Sequence, residues 1–228
     1  NTVLRLLTDK AEELTLEVLG FSKDNANKIM QAVKRSYGMI LTTGPTGSGK
    51  TTTLYTVLKK LNTRDVSIVT IEDPIEYAIP GIEQIQVNQR TGLNFANGLR
   101  SILRQDPNII MVGEIRDAET AGIAVNTALT GHLVLSTLHT NDAATTLPRL
   151  LDMKIEPYLI ASTVSVAVGQ RLVRKICDHC KKEYKMTMPE QESFRNSLKE
   201  LNANFFDGDI SIYRGTGCDK CSHTGYFG

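Results

Sequence analysis

Residues Gly44-Pro-Thr-Gly-Ser-Gly-Lys-Thr51 fill the spacing G-x-x-x-x-G-K-[ST] completely. Each residue type in that pattern has a physical task. Glycine admits backbone angles closed to other residues, so successive N–H groups can curl around an anion. A helix opening at Lys50 adds the positive end of its dipole. Lysine is long enough to reach β- and γ-phosphates, and a threonine hydroxyl is a hard oxygen ligand for Mg²⁺. Gly44, Pro45, Thr46, Gly47, Ser48, Gly49, Lys50, Thr51 and Thr52 are therefore expected to hold a nucleotide, ATP, with Thr51 on its Mg²⁺. The surroundings agree: an apolar run, Met39–Thr43, leads in and a helical pattern, Lys50–Leu61, leads out.

No Asn-Lys-x-Asp element is present to read a guanine base, and two acidic strand ends stand in its place. The run Ser67–Ile71 ends in Glu72-Asp73-Pro74, and Ile109–Val112 ends in Gly113-Glu114. In a parallel sheet, the C-terminal strand ends share one edge with the phosphate loop. A carboxylate at that edge can deprotonate the attacking water, or hold Mg²⁺ through water. Glu114 is the better general-base candidate, because four apolar residues lead to it. Arg100 and Arg104 are spaced i, i+4 on an expected helix, Asn97–Arg104, and so share a face. Arg116 follows Glu114 by two positions. Any of the three can stabilise phosphoryl-transfer charge, in its own chain or in a neighbouring copy. His132 and His139 bracket the run Leu133–Thr137, where a strand-end imidazole can hydrogen-bond a γ-phosphate. The plain alternatives are solvated carboxylates, a basic helix face and structural histidines.

All four cysteines fall in two Cys-x-x-Cys pairs, Cys177/Cys180 and Cys218/Cys221. Four such thiolates suit a tetrahedral Zn²⁺ site, and a complete shell makes the metal structural. The spacer, residues 181–217, is longer than the usual ~15–20 of simple two-knuckle sites. Asn1–Leu19 carries Arg5, Asp9, Lys10, Glu12 and Glu13, unlike a secretory signal. Paired cysteines without a signal favour metal over disulfides and point to the cytoplasm. Arg171, Arg174, Lys175, Lys181, Lys182 and Lys185 cluster about the first pair and are expected to offset thiolate charge.

The elements that must position these groups alternate between types. Short buried-looking runs interleave with helical segments at Lys50–Leu61, Asn97–Arg104 and Ala118–Leu129. Ile82–Val87 alternates, as a strand with one wetter face would. Asp142–Leu151 and Pro157–Val168 are expected to be helices, Lys23–Ser36 is a helix capped by Ser22, and Pro189–Leu201 is amphipathic. The pattern predicts an α/β domain of the RecA-like, phosphate-loop class with a mainly parallel sheet, plus a small tetracysteine zinc-knuckle subdomain. The expected boundaries are 1–20 for a remnant of a preceding domain and linker, 21–174 for the core and 175–228 for the zinc-binding part. A formal net charge of +1 argues against a chain whose main task is coating nucleic acid. The uncharged run 120–141 is long enough for a bilayer, but Asn126, His132 and His139 interrupt it.

Four long segments, in order, resemble the secretion ATPase superfamily, which includes type II secretion and type IV pilus motors. "GPTGSGKTTTLY" is similar to its Walker A box, "TIEDPIEY" to its Asp box, "LRQDPNIIMVGEIRD" to its Walker B box and "TGHLVLSTLHTNDA" to its His box. The resemblance implies that Glu114 is the Walker B glutamate and that Glu72 is the Asp box acid near the attacking water. It implies further that His132 and His139 form the His box pair, and that Arg100, Arg104 and Arg116 read nucleotide state or act across a subunit boundary. The tetracysteine element resembles that of secretion and pilus-extension ATPases and is unlike pilus-retraction ATPases. An assembly motor is thus implied: a cytoplasmic ATPase, peripheral at the inner membrane, working on a polytopic platform protein. Against that family, Asn1–Leu16 is similar to the tail of a PAS-like domain and the chain ends ahead of a complete C-terminal subdomain. A hexamer is accordingly expected of the full-length protein. The competing reading is a RecA-like DNA-handling ATPase, a helicase or translocase. The near-neutral charge and the lack of an aromatic-basic stretch count against it, and no direct nucleic-acid contact is expected.

Overall fold

The structure, a computed structural model, describes residues 14–200 and 212–227. Most of the expected N-terminal remnant therefore lies outside the described residues. The chain divides into two compact units, Asn1–Leu172 and Val173–Gly228.

In the first unit, six strands form one sheet in the order β3-β2-β4-β5-β1-β6. They are β1 (Gly38–Thr43), β2 (Ile68–Glu72), β3 (Glu83–Gln86), β4 (Ile109–Val112), β5 (Leu133–Leu138) and β6 (Val164–Gly169). Every pairing is parallel. The helices are α1 (Lys23–Val33), α2 (Lys50–Leu61), α3 (Phe95–Ile102), α4 (Ala118–Leu129), α5 (Thr146–Asp152) and α6 (Pro157–Thr163).

Alternation along the strands builds two cores. Met39 and Leu41 of β1 enter one, with Ile110 and Val112 of β4, Leu99 of α3 and Val125 of α4. Ile40 enters the other, with Met111 of β4, Leu135 of β5, Ile29 of α1 and Leu58 of α2. A sheet covered on both faces favours apolar residues at successive positions, which is why Met39–Leu41 and Ile109–Val112 read as apolar runs. The uncharged run 120–141 is divided between α4 and β5, and among the described residues no helix is long and apolar enough to cross a membrane.

Several boundaries depart from expectation. The helix expected at Pro157–Val168 ends at Thr163, and residues 164–169 form the edge strand β6 instead. Val164, Val166 and Val168 are stiff β-branched residues that suit a strand. A register irregularity, where Met39 pairs with Val164 and Ile40 with Val166, sends those two valines to opposite cores. The third helix starts at Phe95, capped by the Asn94 side chain, and ends at Ile102. Asp106 takes a positive φ before Pro107, so the helix cannot run on. Arg104 is consequently outside the helix and does not share a helical face with Arg100. The helix expected from Asp142 begins at Thr146, because the Asp142 carboxylate accepts from the Thr145 amide and closes a turn first.

One close approach sets the seat of α3 on the sheet. A methyl group on Gly98 would lie 1.9 Å from Cδ1 of the fully buried Ile71. Gly98→Ala should therefore lower stability by about 1–3 kcal/mol in urea denaturation, despite alanine's better helix propensity. Ile71→Val removes the clashing carbon, so the double variant should be more stable than the summed single losses; strict additivity would argue against the contact.

Candidate active site and metal centre

With all strands parallel, Thr43, Glu72, Val112 and Leu138 end on the same rim of the sheet. The phosphate loop leaves this rim after β1. Gly44, Gly47 and Gly49 all have positive φ. At Gly44 a side chain would strike the Gln170 carbonyl oxygen at 2.4 Å, so glycine is required there for space as well as for conformation. Gly49 is the N-cap of α2 and has no side chain to offer, so the first-turn amides are not capped by one, unlike those of α1, α3 and α4. A cradle of glycines over an uncapped helix start fits an anion of phosphate size.

Lys50 is buried, and its ammonium donates to the carbonyls of Gly44 (2.9 Å) and Pro45 (3.0 Å). Burial pulls its pKa down, and the negative charge of Glu114 opposes that. The lysine and the glutamate thus feel one another across the rim. β5 lies between β1 and β4, so the loop strand and the glutamate strand are two spacings, about 10 Å, apart. Thr51 and Thr52, in the first turn of α2, are half-buried and Thr51 is free of side-chain hydrogen bonds among the described residues, leaving its hydroxyl for a cation.

Glu114 is itself mostly buried, and both of its oxygens are engaged. Arg116 Nη2 reaches Oε1 at 2.5 Å, and His139 Nε2 lies 2.9 Å from Oε2. The hydrogen bond from Arg116 to Glu114 raises the arginine's pKa further. Arg116 is well exposed while Glu114 is not, so the arginine is the partner with freedom to leave.

Glu72 has a different setting from the one read in the sequence. It is 2% exposed, with no open path for an attacking water. Oε2 accepts from the Tyr55 hydroxyl of α2, and Oε1 accepts from the Thr70 hydroxyl at 2.7 Å and from Gln84 Nε2 at 3.1 Å. Burial, and then the bond to Glu72, raise the Tyr55 pKa far above the usual phenol range. This carboxylate joins the phosphate-loop helix to β2 and β3. Tyr55, Thr70 and Gln84 were not singled out from sequence, since nothing local links them to Glu72.

The two histidines are separated by the whole of β5. His139 follows its C-terminal end, beside Glu114, but His132 precedes its start, at the opposite rim. Six strand residues span about 20 Å, so within one chain His132 is not brought to the phosphate loop. Its Nδ1 lies 3.3 Å from the Thr127 carbonyl. Arg100 pairs with Glu119 of α4 at 2.6 Å, and Arg104 has no ion pair among the described residues. Neither arginine touches Glu114 or the loop.

In the second unit, two antiparallel ribbons carry the cysteines. β7 (Lys175–Ile176) pairs with β10 (Tyr226–Phe227), and β8 (Lys181–Tyr184) with β9 (Ile212–Gly215). Cys177 and Cys180 occupy the β7–β8 turn, and Cys218 and Cys221 the β9–β10 turn. Helix α7 (Met188–Glu200) lies between β8 and β9 in the chain. All four Sγ atoms are within 4.8 Å of one another, with 177–218, 180–221 and 218–221 separations of 3.8, 3.9 and 3.7 Å. A tetrahedron with metal–sulfur bonds of 2.3 Å has edges of about 3.8 Å, so the thiols fit one metal ion. Burial pushes the Cys221 thiol up, but the amides of Cys218 and Gly225 and neighbouring thiols bring it down to about 6. Burial raises Cys180 to about 11. Two of the basic residues near the first pair lie over tyrosine rings, Arg174 on Tyr226 and Lys181 on Tyr213.

The family described as "Type II/IV secretion system protein" matches residues 1–228. The chain is 51% identical to the type II secretion system ATPase E of Vibrio cholerae over 99% of its own length and 43% of that protein's. It is 48% identical to the type IV pilus assembly ATPase PilB of Thermus thermophilus, over 99% of this chain and 25% of that one. The chain thus spans less than half the length of these relatives. Among solved structures, the pilus retraction motor PilT with bound ADP superposes with a TM-score of 0.67, at 34% identity, over 87% of this chain and 60% of that one. DotB of Legionella pneumophila gives a TM-score of 0.60 at 34% identity, over 72% and 47%. A profile matched from end to end, together with a phosphate loop and an acid facing it across a parallel sheet, makes this chain a member of the type II/IV secretion system protein family.

Proposed function

We propose that the chain is the catalytic core of an ATP-hydrolysing motor that drives assembly of pilin or pseudopilin filaments. The observation that carries the reading is an uncapped glycine cradle at the start of α2, on the same rim of the parallel sheet as the strand end that carries Glu114. The names of relatives, a secretion ATPase and a pilus assembly ATPase, support the direction of the work. Residues 21–174 act as the nucleotide-handling part and 175–228 as the metal-holding part.

The cradle amides and Lys50 bind and orient the β- and γ-phosphates, so Lys50 exchanges the Gly44 and Pro45 carbonyls for phosphate oxygens. Thr51 would hold Mg²⁺, which when bound offsets phosphate charge. Arg116 moves from Glu114 to the phosphates, freeing Oε1 to take a proton from the attacking water, while His139 keeps the carboxylate oriented through Oε2. Glu72 acts from inside the fold, by holding α2. Arg100, Arg104 and His132, remote from this rim or unengaged with it, serve between copies in a hexamer. The assembled protein is cytoplasmic, peripheral at the inner membrane and coupled to a platform protein. Cys177, Cys180, Cys218 and Cys221 would hold Zn²⁺, whose bonds fasten the two ribbons together.

Lys50→Ala should abolish ATP hydrolysis, whereas Glu114→Gln should lower it about 10²–10⁴-fold yet retain ADP binding. Hydrolysis by Lys50→Ala at the rate of the parent would sink the mechanism, and a many-fold rise on adding DNA would favour the DNA-handling alternative. Metal analysis of protein purified without chelator should return one zinc per chain. Cys221→Ser should lose it and unfold the small unit at lower temperature; a zinc-free parent protein would refute the site.

A further inference from the structure

Gln170 is a long way in sequence from the phosphate loop, directly after the edge strand β6, and yet it meets the loop and the strand end before it at three points. Its amide N–H donates to the Thr43 carbonyl at 3.0 Å, extending the β1–β6 ladder one residue past Gly169. Its carbonyl oxygen occupies the space that a side chain on Gly44 would need. Its side-chain Nε2 donates to the Ser48 carbonyl at 2.7 Å.

The third contact has a consequence for the cradle. A trans peptide is planar, with its C=O and N–H directed oppositely. Holding the Ser48 carbonyl toward Gln170 therefore turns the Gly49 N–H the other way. In an anion-binding loop every such carbonyl must be held off the phosphate, because an oxygen facing in would replace a donor with a repelling dipole. Left to itself, a Ser-Gly peptide is free to flip, since glycine at φ +83° tolerates either orientation. Gln170 removes that freedom. The side-chain Oε1 is buried with no partner, an unfavourable arrangement for a residue that serves stability alone. The amide orientation follows from the acceptor it meets: the oxygen end turned toward Ser48 would repel.

We propose that Gln170 is a positioning residue for phosphate binding, acting through the Ser48–Gly49 peptide to keep the Gly49 N–H aimed into the cradle. The proposal rests on the reading of Gly44–Thr51 as a nucleotide site. Its partner is the phosphate chain of a nucleoside di- or triphosphate, not the base.

Gln170→Met keeps the length of the side chain and removes its donor, and Gln170→Glu puts a repelling oxygen in the donor's place. With the intact chain and a fluorescent ADP analogue in Mg²⁺ buffer, Gln170→Met should weaken Kd about 3- to 10-fold, as loss of one hydrogen bond implies, and Gln170→Glu should weaken it more. Melting temperature without nucleotide should stay within a degree or two of the parent for Gln170→Met. For ATP turnover, KM should rise while kcat at saturation holds. Parental affinity in both variants would overturn the proposal, as would a fall in melting temperature that accounts for the lost affinity. Lys50→Ala, measured alongside, separates the two levels. If it too binds like the parent, the nucleotide-site reading fails; if it alone loses binding, only the role of Gln170 fails.

Discussion

A sheet covered by helices on both faces can do chemistry only at its rims, and a parallel sheet gathers every strand end of one polarity at the same rim. That constraint organises the first unit. Because β1, β4 and β5 run the same way, the phosphate loop, Glu114 and His139 emerge side by side, although they are spread over ninety-odd residues of chain. The same constraint sends His132 to the far rim. Strand order then sets the spacing: placing β5 between β1 and β4 keeps the strand that leads into the phosphate loop about two strand spacings from the strand that leads to Glu114.

Two glutamates at this rim show how surroundings divide one chemistry into two tasks. Glu114 is bonded by an arginine and a histidine that are both more exposed than the carboxylate itself. Glu72 is enclosed, and its partners are a tyrosine, a threonine and a glutamine on three different elements. A buried carboxylate so bonded is held by the cost of leaving any donor unpaired. It is suited to fixing the helix that carries Lys50 and Thr51, and unsuited to trading protons with water.

The second unit meets a different problem. Its ribbons are two to four residues long and its described buried hydrophobics are cysteines, far short of what a core of side chains requires. Four thiols drawn to within bonding distance of a common centre would supply the missing cohesion through a shared metal ion, and the amides aimed at Cys221 favour its thiolate form. Stacking of Arg174, Lys181 and Arg214 on tyrosines adds small contributions around the outside.

Wherever a function resides in neighbours along the chain, it was legible from the sequence. The glycine loop, the helix it opens, the acid after β4 and the paired cysteines all declare themselves through short spacing, because backbone conformation and metal geometry are local demands. Helix α2, strand β4 and helix α4 fall where the hydrophobic pattern placed them. Tertiary structure decided the rest. β6 escaped notice because a helix runs straight into it, with no turn residue to mark the change. Arg104 left its helix because Asp106 and Pro107 turn the chain. Glu72 exchanged a place near water for a buried network, and Gln170 became part of the phosphate loop, since their partners arrive from elements remote in sequence. Sequence alone named the groups whose types could do chemistry; the packing of a parallel sheet decided which of them meet, because contact across strands depends on order and register, which no local pattern encodes.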